Sequence, residues 1–150
     1  METTEKKSVK LLNALVVINN DRIEGYERAA KETEDGDLKN IFTSMANESH
    51  KYKAELLAQV IGLDGEPAEG TTNSGKIFRA WMDVKAALTG KDRKAILSSC
   101  EFGEDAALEV YNEALESDEL TGEARTIVTA QKESILRSHN AIKAMRDSAK

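Results

Sequence analysis

Apolar residues recur along this chain at alternating steps of three and four, the spacing that lines side chains up on one face of an α-helix. Over Asp92–Ser117 the seam reads Leu97, Glu101, Glu104, Leu108, Tyr111 and Leu115. An earlier seam reads Leu11, Leu15, Ile18, Arg22, Gly25 and Ala29, flanked by Leu12, Asn19, Ile23 and Tyr26. Leu38, Phe42, Met45, Ser49, Tyr52 and Leu56 form a third, and Ala124, Val128, Gln131, Ile135, Ser138, Ile142 and Met145 a fourth. These patterns predict four long helices: from between Thr3 and Ser8 to about Glu34, from Leu38 to Ile61, from Asp92 to Ser117, and from Gly122 to Ser148. A shorter repeat of Ile77, Trp81, Val84 and Leu88 predicts one more helix over Ser74–Leu88, lying against something apolar.

The punctuation between seams constrains how the helices connect. Glu34–Asp37 ends the first, with Gly36 suited to a left-handed exit and Asp37 to capping the next helix. Gly62, Gly65, Pro67 and Gly70 mark a loop, Gly90 closes the short helix, and Asp92 caps the stretch that follows. The first two and the last two long helices are joined by tight turns and are expected to be antiparallel neighbours. About 30 residues separate the pairs, enough to travel the length of a bundle and let the second and third long helices run parallel. That arrangement is an all-α ferritin-like four-helix bundle with a short helix in its long crossover, one domain over residues 1–150. Gly25 and Gly103 fall inside helices, where glycine costs about 1 kcal/mol relative to alanine. They are expected to let the first and third long helices approach closely.

Composition narrows the function classes. Net charge is −6, from 21 basic and 27 acidic residues mixed along the chain. No basic block accumulates, which argues against nucleic-acid binding. The single cysteine, Cys100, excludes an intramolecular disulfide and a four-cysteine zinc site. The first 21 residues carry no small-residue cleavage site and no continuous apolar span of about 20 residues, so a cytoplasmic, soluble chain without membrane contact is expected.

Polar residues interrupt the four seams at similar heights: Asn19 and Arg22, Ser49, Glu101 and Glu104, Gln131 and Ser134. Carboxylates inside a bundle are expensive unless paired, protonated or bound to metal. A carboxylate-bridged di-iron or di-manganese centre would need acidic ligands from all four helices and two Glu-x-x-His turns. Asn47 stands three residues before His50, and Leu136 three before His139, so neither turn is present. Arg22 would add positive charge where cations must sit. Neither metal nor cofactor is therefore expected, the alternative being iron or manganese held by Glu101 and Glu104. The favoured reading is a hydrogen-bonded clasp of Asn19, Arg22, Tyr26, Glu101, Glu104, Tyr111 and Gln131, which would specify helix pairing. His50 and His139 lie on the flanks of their seams, facing solvent or an interface. Cys100 is read as a small buried hydrophobe. Gly70–Lys76 lacks the spacing of a phosphate-binding loop.

Three stretches, LLNALVVINNDRIEGYERAA, GKIFRAWMDVKAALTGKDRKAILSSCEFGEDAAL and QKESILRSHNAIKAMRD, carry a likeness spanning Leu11 to Asp147. The chain resembles a bacterial ferritin-like four-helix-bundle family of unknown function, the domain-of-unknown-function 2383 family. Matching positions are Asn19, Gly25, Tyr26, Trp81, Lys85, Glu101, Gly103, Glu104, Asp105, Tyr111, Gln131 and His139, while Asn47, Glu48 and His50 fall where that family varies. The resemblance implies the fold and no activity. The resulting expectation is a non-catalytic bundle that self-associates, as a homodimer, or binds a protein partner, in stress physiology. A metal-dependent redox or storage protein and a small-ligand carrier are the competing classes.

Overall fold

The computed structural model describes residues 3–149. It contains five α-helices and, among the described residues, no strand: α1 Thr4–Glu32, α2 Gly36–Gly62, α3 Gly75–Gly90, α4 Arg93–Glu116 and α5 Gly122–Ser148. Local chemistry sets the ends. Thr3 accepts a hydrogen bond from the Lys6 amide at 3.2 Å, and Asp92 accepts one from the Ala95 amide at 3.2 Å. Each satisfies an amide that the first helical turn leaves without a partner.

The junction of α1 and α2 differs from expectation. Gly36 is the first residue of α2, not a left-handed exit from α1, and Asp35 precedes it at the cap position. Asp37 is therefore already helical, and its carboxylate is taken by Arg93 at 3.0 and 2.7 Å. After α3 the left-handed residue is Lys91, with φ of 57°, one position beyond Gly90.

The path between α2 and α3 is laid along α1. Asn13 donates to the Glu66 carbonyl and accepts from the Ala68 amide, each at 2.9 Å, and Asn20 donates to the Gly70 carbonyl at 2.8 Å. Asp21 then accepts from the Thr72 amide at 2.9 Å. Each later loop residue meets a later residue of α1, so the connection runs in the direction of α1. It thereby returns to the end where α2 began, where Arg93 reaches both Asp35 and Asp37.

Two apolar clusters fill the interior. One gathers Leu12, Leu15, Leu56, Val60, Tyr111, Val128 and Ile135, among others. The other gathers Tyr26, Leu38, Phe42, Val84, Ile96, Leu97 and Ile142. The clusters divide at a level of buried polar residues: Asn19, Asp21 and Arg22 on α1, Ser49 on α2 and Glu104 on α4. Trp81 of α3 packs against both clusters.

Gly25 and Gly103 serve Trp81 rather than a direct approach of α1 to α4. A Cβ built on Gly25 would stand 2.2 Å from Trp81 Cε3, inside the indole. One built on Gly103 would meet Trp81 Cζ2 at 3.5 Å, an ordinary contact. The indole is wedged between the two glycines and meets Tyr26 edge-on at a centroid distance of 5.0 Å.

Candidate functional site

Arg22, on the inward face of α1, projects between the apolar clusters with only 1% of its side chain exposed. Glu104 meets it from α4 and is closed to solvent. The guanidinium donates from Nε to Glu104 Oε2 at 3.0 Å and from Nη2 to Oε1 at 2.8 Å. Its remaining reach goes to Ser49 of α2, through Nη1 at 3.0 Å, while the Ser49 hydroxyl donates to the Met45 carbonyl at 2.8 Å. Tyr26 donates its hydroxyl to Glu104 Oε1 at 2.7 Å.

This pairing governs ionisation. Burial opposes the charge on Arg22, but the Glu104 carboxylate outweighs it and the guanidinium is held even more firmly protonated than usual. Burial, reinforced by the Glu104 charge, pushes the Tyr26 hydroxyl well above its ordinary range. The phenol remains a donor and the guanidinium a cation, and both oxygens of Glu104 are engaged by them.

A second set lies one turn along α1. Asn19 Nδ2 donates to the Tyr111 hydroxyl at 2.8 Å and to the Leu15 carbonyl at 2.9 Å. Tyr111 donates to Gln131 Oε1 at 2.7 Å, and Gln131 Nε2 reaches the Tyr52 carbonyl at 3.2 Å and Glu55 Oε1 at 3.1 Å. Tyr52 and Ser134 are also hydrogen-bonded across α2 and α5. The expected single clasp is thus two hydrogen-bonded sets, one around Arg22 and Glu104 and one around Tyr111.

Glu101 belongs to neither. It turns to the seam of α4 and α5, where Arg146 holds Oε2 and His139 Nε2 stands 3.5 Å from Oε1. Three helical residues advance about 300°, so Glu101 and Glu104 diverge by about 60° around α4. That divergence is enough to give them different neighbouring helices. Glu101 and Glu104 therefore do not converge as a pair of metal ligands, and holding a cation on Glu104 would first require displacing Arg22.

Sequence reasoning passed over a different convergence. Glu101, Asp105 and His139 each offer a ligand atom, and these atoms lie within 4.8 Å of one another. Glu101 and Asp105 are one helical turn apart, a signal present in the sequence, but only the docking of α5 brings His139 to them. His50 is exposed and stands 3.6 Å from Glu27, outside both interior sets.

Cys100 lies buried beside the salt bridge, its thiol pushed up by burial and by the Glu104 charge. It has no depressed pKa of the kind that activates a nucleophile.

No helix among the described residues is long and apolar enough to cross a membrane. No curated protein matches the chain. A family model does: that of Domain of unknown function (DUF2383) matches residues 7–117, a span reaching from the first turns of α1 through all of α4 and including Arg22, Ser49, Trp81 and Glu104. By that match the chain belongs to the DUF2383 family.

Proposed function

We propose that the four long helices form a ferritin-like bundle whose interior is closed by a salt bridge, and that the protein is non-catalytic and acts through its surface. The observation carrying this reading is the Arg22–Glu104 pair, which places a fixed cation against the one fully buried carboxylate of the polar layer. Two further features support the bundle topology. The connection laid along α1 brings the start of α4 beside the start of α2, and Arg93 joins those two ends.

The surface carries apolar side chains suited to self-association. Phe78 and Met82, one turn apart on α3, are 38% and 46% exposed, and Phe102 on α4 is 43% exposed. We infer a homodimer that buries part of this surface, since exposed aromatic and methionine side chains are characteristic of interface cores. A bacterial setting, which rests on the family resemblance, and a cytoplasmic location with a role in stress physiology belong to the same proposal.

Light scattering coupled to gel filtration tests it. A dimer at micromolar concentration is expected, converted to monomer by the pair Phe78→Asp and Met82→Asp with helicity retained. A wild-type monomer throughout the accessible concentration range, or a dimer indifferent to both substitutions, would overturn self-association through this surface.

A further inference from the structure

The seam between α4 and α5 holds a second polar constellation, on different residues from the interior salt bridge. Glu101 and Asp105 project from adjacent turns of α4, and His139 faces them from α5. Glu101 and His139 have side chains only 12% and 13% exposed, whereas Asp105 is 54% exposed. Two ligands are therefore held by packing and the third stands at the solvent edge, where an ion could enter.

The histidine geometry is specific. His139 Nδ1 lies 3.2 Å from Asn140 Oδ1, an acceptor, so Nδ1 is engaged there and Nε2 is the nitrogen that faces Glu101 and Asp105. Nε2 is buried and has no hydrogen-bond partner. Asp105 Oδ1 stands 2.7 Å away, close enough for one, but in a direction that does not make a hydrogen bond. A buried nitrogen that faces carboxylate oxygens without a hydrogen bond to either is satisfied by a cation held among the three side chains.

Spacing and charge also suit a cation at this point. In a tetrahedral site with bonds of about 2.0–2.1 Å, neighbouring ligand atoms stand about 3.4 Å apart. His139 Nε2 and Glu101 Oε1 are 3.5 Å apart, and the exposed Asp105 carboxylate is free to rotate outward to match. Arg146 holds the other Glu101 oxygen and also pairs with Asp147 at 2.9 Å, so it orients the ligand from behind. The carboxylates of Glu101, Asp105 and Asp147 against the one guanidinium of Arg146 leave two negative charges in surplus beside His139.

We propose that Glu101, Asp105 and His139 form a mononuclear site for a divalent first-row transition ion of the zinc type. An imidazole with two carboxylates suits zinc, cobalt or manganese better than magnesium or calcium, which favour all-oxygen surroundings. The site is independent of the self-association reading, and neither stands or falls with the other.

The test is titration of chelator-treated full-length protein with Zn²⁺ by calorimetry, and with Co²⁺ followed by its visible absorption. One ion per chain and a metal-dependent rise in melting temperature are expected. His139→Gln and Asp105→Asn should each weaken binding by at least about tenfold, while Glu109→Gln, one turn further along α4, leaves it unchanged. Asp105 is exposed, so its variant reads binding even where the His139 variant melts early. Absence of saturable binding to the wild type, or binding that survives Asp105→Asn and His139→Gln unchanged, would overturn the proposal.

Discussion

Arg22 and Glu104, 82 residues apart in sequence, meet through two parallel N–H···O contacts with both side chains sealed from water. The pair joins α1 to α4 at the level where the two apolar clusters divide. Bringing both charges out of water costs several kcal/mol, and their attraction, with the added bonds from Tyr26 and Ser49, offsets that cost. The net gain in stability is small. What the pair contributes is selectivity, because a slip of either helix would leave a buried charge alone.

Removing one partner exposes that cost. Arg22→Ala is expected to destabilise the fold by about 3–5 kcal/mol, through the unpaired Glu104 carboxylate. Arg28→Ala, at an exposed position six residues on, should change stability by no more than about 0.5 kcal/mol. Urea denaturation of the two variants measures the difference, and equal losses would contradict the description of Glu104 as dependent on Arg22.

Two glycines face one indole and should respond oppositely to alanine. Gly25→Ala places a methyl inside the Trp81 ring and is expected to cost about 1–3 kcal/mol, with altered emission from the sole tryptophan. Gly103→Ala meets only ordinary contacts, starting at 3.5 Å. It should stabilise by about 0.5–1 kcal/mol through better helix propensity. Paired denaturation curves with tryptophan emission decide it.

Cys100 should be silent in the native protein. Its thiol is buried, and burial together with Glu104 disfavours the thiolate that reacts. A chromogenic disulfide reagent at mildly alkaline pH is expected to modify it only as fast as the protein opens. In denaturant one thiol per chain should react at once. Rapid native-state modification would show that the α4 face is not closed.

Asp21 predicts a pH dependence. Burial raises its pKa above the ordinary 3.8, the two Thr72 hydrogen bonds oppose the rise, and Glu24 adds to it. The folded state then holds this proton more tightly than the unfolded chain does. Stability from this group is therefore greatest in acid and declines as pH rises from about 3.8 through the raised value, after which it is level. Asp21→Asn removes the titration while keeping a side chain able to accept from Thr72. The stability difference, wild type minus variant, should fall with rising pH across that window, and a constant or rising difference would refute the assignment.

Helix positions and the polar interruptions were legible because side-chain periodicity is a local property of the chain. The last helix was expected from Gly122 to Ser148 and occupies those residues, and Asp92 caps α4. The placement of Asn19, Arg22, Ser49, Glu104 and Gln131 near the middle of their helices follows from the same arithmetic. Small residues at a turn are less informative: Gly36 and Asp37 satisfied the pattern of a helix break equally well one residue either way, and backbone hydrogen bonding started α2 at Gly36.

The identity of each partner was not legible in the same way. Glu101 and Glu104 share one arc of α4, and only the positions of α1 and α5 around that arc send Glu104 to Arg22 and Glu101 to Arg146 and His139. Gly25 announced that something approaches closely without saying that it is Trp81. Asn13, Asn20 and Asp21 gave no hint that they would anchor a connection 50 to 53 residues downstream. By itself the sequence determined which residues are helical, which faces are apolar and at what height polarity enters. The tertiary structure decided which charges meet, because a side chain's neighbours across a bundle depend on the rotation and register of other helices, and these are settled by packing the whole interior at once.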